Sequence, residues 1–177
     1  MQKSLTWKDS FDVVSPTDYQ TLSDLNFRSP FLDYQDYFKN KLINCRNTNR
    51  QISAIVRFNQ SQICGYFTIK LIDLPQISLG ENFPLALPLK VWNIERLCKN
   101  SNLIIPAIDQ MGKLLLALAI RAMIETQKTN VVVINPVKFS AETLNSFKSL
   151  GFRSLGNKNL LFYKLPFSVA PEKIREN

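Results

Sequence analysis

The sequence contains no histidine, and this absence excludes several kinds of chemistry at once. Histidine is the commonest protein ligand of transition metals and the side chain whose pKa best suits a general base near neutral pH. We therefore expect no metal centre, no serine–histidine–aspartate triad and no cysteine–histidine pair. Any acid–base chemistry must rely on aspartate, glutamate, lysine, tyrosine, cysteine or water.

Cysteines and long apolar runs are also scarce. The three cysteines, Cys45, Cys64 and Cys98, are odd in number and far apart, which argues against a disulfide framework and against a paired-cysteine metal site. No apolar run approaches the roughly 20 residues that cross a bilayer. The first residues, MQKSLTWKDSFDVV, contain no apolar segment of the signal-peptide kind. We expect a cytoplasmic protein without a membrane segment.

What the chain does contain is ordinary core material and an excess of positive charge. Its 177 residues, 45% of them hydrophobic, predict a single domain over residues 1–177. We place the core of this domain at about 25–165 and a flexible charged tail from 167. The net charge of +8 and the pI near 9.5 favour a polyanionic partner, such as a nucleic acid, a nucleotide cofactor or an acidic protein.

Hydrophobic periodicity predicts the elements of the first half of the chain. Residues 31–45 place apolar side chains on one face of a helix. Residues 52–58 and 63–72 are rich in β-branched and aromatic residues and flank a polar turn, which predicts a β-hairpin. Prolines and a glycine indicate a loop over most of 73–90, and residues 90–98 then return to a strand.

The second half alternates helices and strands. Residues 112–128 are apolar around most of the helix circumference, which predicts a helix buried against a sheet. The run VVVIN (131–135) is typical of a central strand covered on both faces. Ser140 can cap a short helix at 141–149, and the last strand is predicted at 160–165. This order implies an α/β architecture: a mixed central sheet with helices on both faces.

Three strings in this order resemble the Gcn5-related N-acetyltransferase (GNAT) superfamily. CGYFTI (64–69) is similar to its third strand, MGKLLLALAIRAMIE (111–125) to the back half of its cofactor motif, and NSFKSLGFRSLG (145–156) to its C-terminal motif. The likeness is closest to acetyltransferase toxins of toxin–antitoxin modules, which share the Leu32-Asp33 pair on the first helix. It covers roughly residues 25–165.

The resemblance implies a fold, a reaction and partners. The fold would be the GNAT fold, and the reaction would be acyl-CoA-dependent N-acyl transfer, in which an acetyl group passes from acetyl-CoA to an amine. Aminoacyl-tRNA is one acceptor that the toxin likeness implies. The partners would be tRNA or another polyanion and a protein such as an antitoxin. A catalytically inactive GNAT-fold protein that serves as a binding or assembly module is the alternative.

The resemblance also implies a cofactor site built from two segments. The pantetheine arm of acyl-CoA would lie along the fourth strand like an added strand. The pyrophosphate would rest on the N-terminus of the following helix, where free N–H groups and the helix dipole favour an anion. The implied residues are Leu97 and Lys99 on the strand, and Gln110, Met111, Gly112 and Lys113 at the helix start.

This cofactor loop departs from the family pattern. The family consensus is Q/R-x-x-G-x-G/A, in which glycines let the backbone approach the phosphates. The corresponding residues 107–112 read AIDQMG, so that only Gly112 remains. Asp109 adds a negative charge that opposes phosphate binding, and Lys113 can offset it.

The catalytic position departs as well. The family places a tyrosine, which protonates the departing CoA thiolate, four residues before Gly151, and that residue is Phe147 here. Phenylalanine has no proton to give, so the general acid is lost. Phe147 can also be a plain core aromatic. Cys98 and Tyr163 are substitutes by residue type alone.

Glu95 is the candidate general base. It lies on the strand where several GNAT enzymes place a glutamate that deprotonates the attacking amine. The competing interpretation is that Glu95 pairs with neighbouring Arg96 or with a cross-strand lysine, or faces solvent. Binding of acetyl-CoA is the observation that best separates an enzyme from an inactive module.

Overall fold

The computed structural model describes residues 11–74, 89–103, 110–135, 139–154 and 160–166. The predicted loop lies mostly outside these ranges, as do Asp109 and the tail from 167. No helix in the described ranges is long and apolar enough to span a bilayer.

Seven strands and three helices form the described fold. In chain order they are β1 (Phe11–Val14), α1 (Leu32–Asp36), β2 (Gln51–Phe58), β3 (Gln62–Leu74), β4 (Leu89–Lys99), α2 (Met111–Thr126), β5 (Val131–Ile134), α3 (Ala141–Ser149), β6 (Arg153–Ser154) and β7 (Leu161–Lys164). The strands make one mixed sheet in the order β1-β2-β3-β4-β5-β7-β6. One core cluster packs α2 and α3 on one face of the sheet, and a second packs α1 on the other. The mixed α/β architecture is therefore confirmed.

The first predicted helix is present, but its geometry changes along its length. After α1 the chain continues as a π-helical turn at Tyr37–Lys41 and a 3-10 turn at Leu42–Asn44. The predicted apolar face is the buried one, and Phe38 stacks on Phe27 with ring centroids 4.1 Å apart. Because the π-helical turn widens the helix, it changes the direction of the side chains that follow.

The hairpin is confirmed, and the backbone conformation of its turn accounts for the short connection between its two strands. Strands β2 and β3 pair antiparallel along their length. The turn residues Asn59 and Gln60 have φ angles of 49° and 61°, the left-handed conformation that matches the twist of two paired strands. Strand β1 was not predicted. Only four residues long, it extends the sheet at the β2 edge, with Phe11 opposite Phe58.

Helix α2 lies against the sheet, as predicted, but it is not buried around most of its circumference. Its buried residues are Met111, Leu115, Leu116, Ala119 and Met123. A stripe at every fourth position remains exposed, formed by Lys113, Ala117, Arg121 and Glu125. The leucines beside this stripe are only half-buried, because no described element packs over this face of the helix. On this stripe, Arg121 Nε and Glu125 Oε1 form an i,i+4 ion pair at 2.8 Å.

Strand β5 is the central strand that the VVVIN run predicted. All four of its residues are buried, and it lies between β4 and β7. It runs parallel to β4 but shares register only at Trp92–Val132 and Asn93–Val133. Beyond Asn93, the described part of β4 pairs with β3 alone as far as Lys99. The two strands therefore diverge at their C-terminal ends.

A β-bulge in β4 accompanies this divergence. Thr68 of β3 lies opposite Arg96 and Ile69 lies opposite Ile94, so Glu95 is the additional residue. A bulge bends its strand and increases the local twist. The bend lies where β4 loses its pairing with β5.

The C-terminal elements follow the sequence signals, with one addition. The Ser140 hydroxyl accepts a hydrogen bond from the Thr143 N–H at 3.2 Å and caps α3. Gly151 has φ +99° just after this helix, a conformation that favours glycine. Strand β7 confirms the prediction of a last strand at 160–165. The two-residue strand β6 was not predicted, because it is too short to give a periodic pattern.

Gly65 on β3 provides a stability test of this packing. A Cβ at Gly65 would lie 2.4 Å from the Cys98 carbonyl oxygen and 2.8 Å from Leu115 Cδ1. We therefore expect Gly65→Ala to lower the free energy of unfolding by about 1–3 kcal/mol through overpacking. Gly112→Ala is the matched control, since a Cβ there meets nothing within 4 Å. Equal midpoints for the two variants in urea denaturation would contradict the close approach of β3, β4 and α2.

Candidate active site

A cavity of about 250 Å³ opens where β4 extends beyond β5. Its walls come from four places: the start of α1, the end of β4, the first two turns of α2, and α3 with its flanking residues. These segments are far apart in sequence, and the sheet brings them together.

The cavity passes from one face of the sheet to the other. Tyr34 and Cys98, which line it, belong to the core cluster on the α1 face. Leu115, Leu116 and Phe147, which also line it, belong to the cluster on the α2 and α3 face. Residues from both faces of the sheet therefore line one cavity at the point where the two strands separate.

The predicted cofactor residues divide into two groups. Leu97, Lys99, Gly112 and Lys113 line the cavity, and Gln110 and Met111 are not among its lining residues. Met111 is instead 1% exposed and packs in the core, because the first turn of α2 directs it toward the sheet. Gln110 is the N-cap residue of α2, and its side chain makes no capping hydrogen bond.

Phe147 is a core residue and a cavity wall at once. It is 1% exposed and packs edge-on against Phe139, with ring centroids 5.3 Å apart, and at 5.4 Å from Phe152. It also lines the cavity beside Ser140 and Thr143. The two interpretations of this position are therefore compatible.

Solved structures share this fold at low sequence identity. A tyrosine-to-phenylalanine mutant of KacT gives a TM-score of 0.65 at 16% identity, covering 88% of this chain and 95% of that one. A tyrosine-to-phenylalanine mutant of the toxin AtaT, bound to the C-terminus of the antitoxin AtaR and acetyl-CoA, gives 0.63 at 17% over 87% and 91%. AtaT complexed with acetyl-methionyl-tRNAfMet gives 0.59 at 18% over 87% and 94%. The chain has the GNAT fold.

The likeness to KacT and AtaT, GNAT-fold acetyltransferase toxins of toxin–antitoxin modules, confirms the resemblance drawn from the three sequence strings. No family model and no curated protein matches the chain. The likeness is therefore one of fold. Within the GNAT fold, the cavity at the β4–β5 divergence is the place where the sequence strings implied the donor site.

Glu95 does not line the cavity in this GNAT fold. Its carboxylate accepts a hydrogen bond from Lys70 Nζ at 3.0 Å across the β3–β4 pair. This is the cross-strand lysine pairing that competed with the base role in the sequence. Glu95 also lies near Tyr37, whose pKa is raised to about 12, mainly by burial and the bond to Cys45, with a smaller contribution from the Glu95 charge.

The two substitutes for the missing acid lie in different places. Cys98 lines the cavity, and its thiol donates to the Ser29 hydroxyl at an S···O distance of 3.4 Å. Burial raises the pKa of Cys98 to about 11, so the group is a thiol and not a thiolate nucleophile near neutral pH. Tyr163 is not among the cavity-lining residues and stacks on Phe152, with ring centroids 5.1 Å apart.

Sequence reasoning missed the contribution of α1. Tyr34 was placed on the buried helix face but not in the site, although it lines the cavity with Pro30 and Phe31. The guanidinium of Arg96 lies 5.1 Å from the centroid of the Tyr34 ring and 4.2 Å from that of Tyr37. No local signal identifies this arrangement, because it requires α1 to dock beside the end of β4.

The raised pKa of Cys98 predicts slow and pH-dependent alkylation. At pH 8 a thiol with a pKa near 11 holds on the order of 10²-fold less thiolate than a free cysteine. We expect Cys98 to react with iodoacetamide at least tenfold more slowly than half-buried Cys45, with a rate that still rises between pH 9 and 11. Site-resolved mass spectrometry measures both. Equal rates at pH 8 would show that Cys98 is not buried in the folded protein.

Proposed function

We propose that this protein is an acyl-CoA-dependent N-acyltransferase that transfers an acetyl group to an amine. The observation that supports this most directly is the cavity through the sheet at the β4–β5 divergence, beside the N-terminus of α2. Such a cavity gives a thioester and an amine access to one another from opposite faces.

The donor side of the site fits acyl-CoA chemically. Leu97 and Lys99 line the cavity on the part of β4 that has separated from β5, where an extended pantetheine amide chain can pair with the strand backbone. Among the described residues, no side chain caps the start of α2, where the first N–H groups of a helix can bind an anion. Lys113 adds a cation at the same turn, and open space surrounds Gly112.

The comparisons support the nature of the donor and of the acceptor. AtaT has been solved with acetyl-CoA and with acetyl-methionyl-tRNAfMet. We therefore propose acetyl-CoA as the donor and an aminoacyl-tRNA as the acceptor, in line with the net charge of +8. We also propose a protein partner comparable to the antitoxin AtaR, which is bound to AtaT in a further structure. We also propose a cytoplasmic location, in line with such a substrate.

The reaction forms an amide and releases a thiol. The acceptor amine attacks the thioester carbonyl, a C–N bond forms and the C–S bond breaks, with its electron pair on sulfur. The amine loses a proton, and the sulfur gains one. Glu95 remains the proposed base and would act through water, because its side chain does not line the cavity and is bound to Lys70.

A binding module without catalysis is the second candidate. Phe147 contributes no hydroxyl to the cavity, and Gly112 is the only glycine of the loop. This candidate predicts that the cavity binds a ligand without turning it over.

Calorimetry with acetyl-CoA tests the donor site. We expect binding by the parent protein and at least 10²-fold weaker binding by Gly112→Glu, because the new carboxylate would occupy the pyrophosphate position at the helix start. Ala117→Glu is the matched control. It adds the same charge to the exposed stripe of α2, away from the cavity, and should keep the parent affinity within about twofold.

The outcomes separate the two candidates. Unchanged affinity in folded Gly112→Glu would place the donor elsewhere, and no binding by the parent would refute the acyltransferase. If acetyl-CoA binds, mass spectrometry of aminoacylated tRNA after incubation should show an added acetyl group. Binding without transfer to tRNA or to a primary amine would favour the binding module.

A further inference from the structure

The cavity lacks a hydroxyl at the position that the resemblance assigns to the catalytic acid, because Phe147 is there. Other cavity-lining residues do carry a transferable proton. Of these, Tyr34 and Cys98 are the most buried, at 8% and 6% exposed. The burial of these two side chains matters, because water competes less with a proton donor in a site from which solvent is largely excluded.

We propose that the phenol of Tyr34 protonates the departing CoA sulfur, in place of the tyrosine that is absent at position 147. This inference rests on the proposed acyltransferase function. It moves the acid from α3 to α1, on the opposite face of the sheet.

The position of the cavity between the two faces of the sheet makes it feasible for Tyr34 to replace a proton donor at position 147. Phe147 lines it from the α2 and α3 face, and Tyr34 lines it from the α1 face. Both line the same cavity of about 250 Å³, beside Leu97 and Cys98 of β4. A thioester that lies between the diverging strands is therefore accessible to a donor from either face.

The environment of Tyr34 suits a proton donor. The phenol is protonated at neutral pH. Burial raises its pKa and so opposes release of the proton, whereas the nearby Arg96 guanidinium lowers that pKa and favours release. That guanidinium lies 5.1 Å from the centre of the ring and is held by Asp33 at 3.6 Å. A fixed cation stabilises the negative charge that develops on the phenolic oxygen as the proton leaves.

Cys98 is the weaker donor of the pair. A thiol is a poor hydrogen-bond donor compared with a phenol. A proton on Tyr34 passes to the thiolate as the C–S bond breaks, leaving a phenolate and free CoA. The proton released by the acceptor amine then returns to the phenolate through water, so that the step balances without another reagent.

A double-mutant cycle between Tyr34 and Phe147 tests the proposal. We expect Tyr34→Phe to lower the kcat for acetyl-CoA consumption by about 10²-fold, the lower end of what a general acid contributes. The affinity for acetyl-CoA should stay within about twofold. Phe147→Tyr alone should change kcat little, and the Tyr34→Phe/Phe147→Tyr double variant should recover at least tenfold. A purely structural role of Tyr34 would not be rescued by a hydroxyl on the other face.

The loss of thioester absorbance measures the consumption of acetyl-CoA. Water, a primary amine and aminoacylated tRNA each serve as the acceptor, since the departing sulfur is the same for all three. Tyr163→Phe is the matched control. It removes a phenol outside the cavity lining and should leave kcat unchanged.

The outcomes separate this proposal from the function on which it rests. No binding of acetyl-CoA by the parent overturns both. Binding by the parent without consumption by any acceptor overturns the role of Tyr34, as does a Tyr34→Phe kcat within twofold of the parent. A low kcat that a folded double variant does not recover overturns it too. Should the double variant fail to fold, the solvent deuterium isotope effect on kcat is compared between the parent and Tyr34→Phe. An equal isotope effect in the two proteins would then contradict the acid role.

Discussion

The site depends on the incomplete pairing of β4 with β5. The two strands share register at Trp92–Val132 and Asn93–Val133, and the bulge at Glu95 turns the rest of β4 away along β3. A fully paired β4 would close the sheet there and leave no cavity. Incomplete pairing leaves backbone amides and carbonyls that need other partners, so it is tolerated where a polar ligand chain can supply them. The incomplete pairing that opens the sheet therefore also favours a ligand with a polar, extended chain.

The two faces of the sheet supply different chemistry to this opening. The α2 and α3 face offers an uncapped helix start, Lys113 and the apolar ring of Phe147, which suit the phosphates and the thioester arm. The α1 face offers a phenol with Arg96 close to its ring. The proposed acyl transfer calls for a proton donor near the departing sulfur, and residues of both faces line the cavity where that sulfur would lie. A proton donor that is absent from one face can therefore be replaced by a proton donor on the other face.

Sequence patterns predicted the elements well where one local signal was sufficient. The hairpin, the VVVIN strand and the Ser140 cap each depend on residues within a few positions of one another. The same patterns failed for β1 and β6, which are too short to show a period. For the site, the strings led to Gly112 and Phe147, because both lie in segments with a family pattern.

The sequence alone determined that this protein lacks histidine chemistry, that it alternates strands and helices in the order of the GNAT fold, and that position 147 carries no hydroxyl. These properties are local, or follow from composition and order along the chain. Only the tertiary structure decided that Glu95 binds Lys70, that Met111 packs in the core, and that Tyr34 shares a cavity with Phe147. The physical reason is that a bulge and a strand divergence set which side chains meet, and both depend on pairing between segments far apart in sequence.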